Sequence, residues 1–155
     1  MNDTMQRFVV IFAVISPLSA FESICQNYLE VERQFNCGED GYPLNYGYKN
    51  CLIFTSNQTR QLFSEEGRTF VECCSKCLIT AIRNISKTAD NCNQIHEQSF
   101  KSHVDCYLSC DFCKVCKTQK MALLHSYDWT DFASVLAVQQ IASIVRECGI
   151  FNCFL

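Results

Sequence analysis

Thirteen cysteines stand in this chain of 155 residues, and the first of them is Cys25. A sequence this rich in sulfur is constrained above all by where its thiols can meet. Such density belongs to proteins that fold in an oxidising compartment, where cysteines pair into bridges by default. The odd count also leaves at least one sulfur outside any set of intrachain pairs.

The N-terminus carries an address for that compartment. Met1 to Arg7 is polar, Phe8 to Ile15 is an unbroken apolar run of eight residues, and Ser16-Pro17 leads into the small-residue exit Leu18-Ser19-Ala20. That order is expected of a cleavable signal peptide over 1–20, leaving 21–155 as one cysteine-rich domain. Eight residues of helix span about 12 Å, far short of a bilayer core. Val135 to Val145 is interrupted by Gln139, Gln140 and Ser143, so no membrane insertion is expected there either. The expected location is secreted, extracellular.

Composition narrows the class. With 48% hydrophobic residues and 19% charged, the chain can bury a core. Its 13 basic against 16 acidic residues, net −3, and the lack of a basic run argue against a nucleic-acid partner. Five glycines and two prolines are too few for a sandwich of many tight turns. The reading is mostly α: a small disulfide-stapled domain of about three main helices behind an irregular N-terminal segment, Phe21 to Asn50, which holds the turn signals Gly38-Glu-Asp-Gly41 and Tyr42-Pro43.

Ser64 is a good N-cap, and Glu65 and Glu66 place negative charge on the first turn that follows. Phe70, Val71, Cys74, Cys77, Leu78, Ala81, Ile82 and Ile85 then form one stripe at helical period. A second helix opens at Asp90 and puts Cys92, Ile95, Ser99, His103, Cys106, Tyr107 and Cys110 on one side. A third opens near Asp128 or Thr130, is apolar through Phe132, Val135, Leu136, Val138, Ile141, Ala142 and Val145, and stops at Gly149.

Little in this pattern points to catalysis. Ser102-His103-Val104-Asp105-Cys106-Tyr107 resembles the helix of secreted phospholipases A2, where an adjacent His-Asp pair precedes Cys-Tyr. Here one residue separates His103 from Asp105, which turns the two about 200° apart on a helix. Cys110-x-x-Cys113-x-x-Cys116, with His103 or His125, has the look of a zinc site, but thiols in an oxidising compartment pair first. His96 and His103 share a face about 10 Å apart, too far for one ion. No catalytic residue, metal or cofactor is expected. Asn57-Gln58-Thr59 and Asn84-Ile85-Ser86 are glycosylation sequons.

The cysteine ladder at 77, 92, 106 and 113, with Cys106-Tyr107 inside it, resembles the stanniocalcin family of secreted glycoprotein hormones. The similar stretch reads Cys51-x-x-Phe54, then Phe63-x3-Gly67-x2-Phe70-Val71-x5-Cys77, then x14-Cys92-x13-Cys106-Tyr107-x5-Cys113, and closes on Ile144-Val145-Arg146-Glu147-Cys148. The resemblance implies the pairs Cys37–Cys92, Cys77–Cys106 and Cys113–Cys148, with Cys25 as the available partner for Cys51. Cys73, Cys74, Cys110, Cys116 and Cys153 are left over; Cys110–Cys116 is conceivable, and Cys153, beyond the third helix, is the candidate for an interchain bridge in a homodimer.

What the resemblance implies is a hormone-like glycoprotein that acts by recognising an extracellular receptor or target enzyme, with calcium or phosphate homeostasis or metalloprotease inhibition as its roles. The alternatives from the residues are a phospholipase A2-like hydrolase using His103 and a disulfide-rich toxin or effector.

Overall fold

The computed structural model describes residues 17–128, 130–131 and 134–154. Among these every regular element is helical: α1 (Pro17–Phe35), α2 (Lys49–Thr55), α3 (Asn57–Leu62), α4 (Glu65–Thr88), α5 (Cys92–Ser109), α6 (Phe112–Thr118), α7 (Lys120–Ser126), α8 (Val135–Cys148) and α9 (Ile150–Phe154), with a π-helical stretch at Tyr42–Tyr48. The mostly α, disulfide-stapled class expected from the sequence is the class observed. The apolar run of the expected signal peptide lies outside the described residues, and α1 runs through the expected cleavage point after Ala20.

The α4–α5 pair is the frame. Ser64 caps α4, its Oγ accepting from Gly67 N, and Asn91 caps α5, its Oδ1 accepting from Gln94 N at 3.0 Å. Phe70, Val71, Cys74, Ile79, Ile82 and Ile85 of the predicted α4 stripe, or one step from it, are buried. They face Ile95, Ser99, His103, Cys106 and Tyr107 of α5, also buried. Two bridges close this seam one helical turn apart, Cys77–Cys106 and Cys73–Cys110. Each step of four up α4 meets a step of four down α5, as an antiparallel pair requires.

Two elements differ from expectation. Phe21–Asn50 holds more regular structure than its turn signals suggest. Ile24, Tyr28, Val31 and Phe35 recur at steps of 4, 3 and 4, and they lay α1 against α4 and the π-helical stretch. The turn signal itself holds: Gly41 N donates to Gly38 O at 2.9 Å, and Gly38 takes φ +83, which glycine alone adopts freely.

The third of the helices expected from the sequence, α8, is capped by Ser134 and begins at Val135, later than Asp128 or Thr130. Phe132 lies outside the described residues. The inward face of α8 is Ala137, Gln140, Ile144 and Cys148, while Val135 and Val138 are 70% and 50% exposed. The packing of α8 on α5 and the Cys113–Cys148 bridge to α6 together set this rotation. Gly149, at φ +83, ends the helix as expected.

Candidate functional site

His103 is buried on α5, and its Nδ1 stands 2.7 Å from the carbonyl oxygen of Ser99, one turn back. Around the ring stand Tyr42 and Tyr46 of the π-helical stretch, with Phe100 and Tyr107 of α5, at centroid distances of 5.6–6.2 Å. Burial pushes the imidazole down to about 4, the Ser99 carbonyl only partly opposing it. Asp105 is exposed, on the side of the helix away from His103. The pair that phospholipase chemistry needs side by side is therefore split between core and solvent.

Beside His103 lies a cavity of about 40 Å³, lined by Tyr28, Tyr46, Ser75, Ser126 and Tyr127 among others. It has room for a few waters and no organic substrate. Burial raises the phenols of Tyr28, Tyr46 and Tyr127, so none of them supplies a proton-accepting oxygen near neutrality. His96 and His103 flank the ring of Phe100, with centroids at 5.0 and 5.9 Å from it.

The cysteines of the zinc-like run are consumed. Cys110, Cys113 and Cys116 are bonded to Cys73, Cys148 and Cys153 respectively. The sulfurs of Cys116, Cys148 and Cys153 lie within 4.8 Å of one another, but each belongs to a bridge and offers no thiolate. The conceivable Cys110–Cys116 pair is corrected by this pairing. So is the interchain role expected for Cys153, which sits 8% exposed against Cys116. Cys74 is the free cysteine, fully buried, its thiol raised by burial.

The remaining pairs are Cys25–Cys51, Cys37–Cys92 and Cys77–Cys106. Together with Cys113–Cys148 they are the four pairs that the family resemblance implies. The other two, Cys73–Cys110 and Cys116–Cys153, had no signal in that resemblance. The spacing of Cys73 and Cys77, one turn apart on α4 opposite Cys106 and Cys110, is the signal that finds the first of them.

Apart from Val135, Val138 and Phe151, the fold leaves on the surface an apolar strip over α3 and α7. Leu62 and Met121 are 46% and 64% exposed. Leu62 borders two shallow depressions, one shared with Leu52, Ile53 and His125, the other with Lys117, Lys120 and Met121. The strip is thus continuous and edged by lysine. Asn57, exposed at the start of α3, stands at the end of the strip that holds Ser56 and Gln58, and Asn84 is exposed on α4. Against this geometry, no family model, no curated protein and no solved structure matches the chain.

Proposed function

We propose that this chain is a secreted, non-enzymatic recognition glycoprotein of stanniocalcin type, which docks a rigid helical face on an extracellular receptor or enzyme. The chain is a small disulfide-rich helical protein, and no described helix is long and apolar enough to cross a membrane. The observation that carries the reading is the bridge pattern. Six bridges tie together the helices other than α3 and α7, which pack on that bridged frame, and four are the pairs implied by the resemblance. A scaffold so tied loses little conformational entropy when it binds, which favours a recognition surface.

The face we assign to docking is the strip of Leu62 and Met121. Exposed leucine and methionine beside Lys117 and Lys120 suit a protein surface with an apolar ridge and an acidic rim. The test is affinity capture from extracellular fluid with wild type, Leu62→Glu and Met121→Glu, with Lys87→Glu as a control on the far helix. A partner held by wild type and the control but released by both strip variants supports the reading. Release of phospholipid fatty acid by the purified protein, lost in His103→Ala, would replace it with the hydrolase.

A further inference from the structure

We propose that the apolar cavity between α5, α6, α7 and α8 binds a long-chain carboxylic acid, with Lys120 as the ionic partner of the carboxylate. The proposal does not rest on the recognition reading above, although Lys120 borders both the strip and the cavity. The cavity measures about 430 Å³, within the range of small-molecule sites. Its walls are Phe112, Leu123, Ile141, Ile144 and Val145, with the ring of Tyr107 behind them. A space lined in this way is filled well by an acyl chain and poorly by water.

Charge selects the headgroup. Lys120 borders this cavity and also the outer depression with Met121, which places it at the mouth. It is half-buried, and its ammonium has no ion pair or hydrogen bond with any described residue. Lys49, Lys76 and Lys114, by contrast, each hold a carboxylate. An unpaired, partly desolvated cation at the rim of an apolar cavity is complementary to an anion on an apolar tail.

A second observation comes from the wall. Gln140 is 5% exposed on the cavity side of α8, and its Oε1 has no hydrogen-bond partner among the described residues. A buried amide left unpaired lowers stability. Turned about its last torsion it offers a donor or an acceptor to a ligand, and a bound ligand removes the deficit.

The experiment is a titration of the intact, fully oxidised chain with 11-(dansylamino)undecanoic acid, followed by displacement with palmitate or methyl palmitate. Wild type should give a saturable rise in fluorescence, displaced by palmitate at least tenfold better than by the ester. Lys120→Met should bring palmitate down to the level of the ester, with an unchanged circular dichroism spectrum. Leu124→Trp, at a lining position already 43% exposed, should block the probe without disturbing the fold. Gln140→Leu should raise the melting temperature of the unliganded protein and shrink the rise that palmitate produces. No saturable signal in wild type overturns the site. Equal displacement by acid and ester, unchanged in Lys120→Met, overturns the carboxylate and the role of Lys120.

Discussion

Cys73 and Cys74 are neighbours on α4, yet Cys73 is bonded to Cys110 while Cys74 is a thiol without any exposed surface. One residue of helix is a turn of about 100°. That turn carries Cys73 to the edge of the α4–α5 seam, where a bridge can form, and Cys74 to the centre of the core among Phe70, Val71 and Tyr107. The odd sulfur of the chain is therefore a small core hydrophobe. The folded protein should carry one thiol by mass that ignores maleimide until denaturant is added, and it should run as a monomer on non-reducing gels. A thiol labelled at once in the native state, or a dimer lost in Cys153→Ser, contradicts the pairing.

The two bridges of the α4–α5 seam close loops of 29 and 37 residues. Alone, either contributes about 3.5 kcal/mol by chain entropy. Once one is made, the other closes only a short ring and adds about 2.5 kcal/mol. Removing Cys77–Cys106 or Cys73–Cys110 as an alanine pair should thus cost less than half of what removing both costs. Melting curves of the three variants measure the coupling, and strict additivity would show that the two bridges are independent.

Much of this was legible because the sulfurs lie on helical stripes. Ser64, the stripe from Phe70 to Ile85, and the inward set from Ile95 to Tyr107 read directly as the α4–α5 core. The α1 stripe of Ile24, Tyr28, Val31 and Phe35 was equally periodic but is interleaved with Cys25, Asn27 and Glu32 and followed by turn residues, so it read as irregular. The rotation of α8 was not legible. Val135 and Val138 continue a credible apolar face, yet the packing of α8 on α5 and the bond from Cys148 to Cys113 leave these two outward, while Val145 lines the apolar cavity. Of the candidate sites, His103 could be placed on the inner face by spacing, but its cage of Tyr42 and Tyr46 comes from the π-helical stretch, which has no sequence signature at this distance. The apolar cavity depends on four helices meeting and was invisible for the same reason.

Acid should loosen the molecule through His103. The imidazole titrates near its ordinary 6.5 when unfolded and at about 4 when folded. Above pH 6.5 neither state binds the proton, so the group has no effect on stability there. Between about 6.5 and 4 the unfolded chain takes up a proton that the native one refuses, and stability falls with pH; below about 4 the loss is complete, on the order of 3 kcal/mol. His103→Phe keeps an aromatic ring in the cage and should flatten that part of the profile. Urea midpoints from pH 7.5 to 4 for both proteins decide it, and parallel profiles would assign the acid sensitivity to the carboxylates.

Both sequons are presented to solvent, Asn57 on the first turn of α3 and Asn84 on the outer side of α4. Protein secreted from a eukaryotic host should lose two glycans on amidase treatment, each abolished by Asn57→Gln or Asn84→Gln. A protein whose mass is unchanged by the enzyme carries neither.

Gly67 is the strictest position in α4, although glycine costs a helix about 1 kcal/mol relative to alanine. Its backbone N donates to the cap Ser64 Oγ, and Ser64 N in turn donates at 2.9 Å to Oε1 of Gln119, between α6 and α7. A Cβ at 67 would meet that same Gln119 Oε1 and the ring of Phe63, which is 2% exposed. Neither can withdraw cheaply: the amide holds the helix cap, and the ring is packed against Phe54 at 6.5 Å. The steric loss should exceed the propensity gain, so Gly67→Ala is expected to destabilise by about 1–3 kcal/mol. Adding Gln119→Ala to it should recover part of the loss, because the shortened side chain clears the Cβ at the expense of one hydrogen bond. Thermal melts of the two single variants and the double variant test this, and a Gly67→Ala protein more stable than wild type would mean that propensity prevails over the close approach of α4 to Gln119.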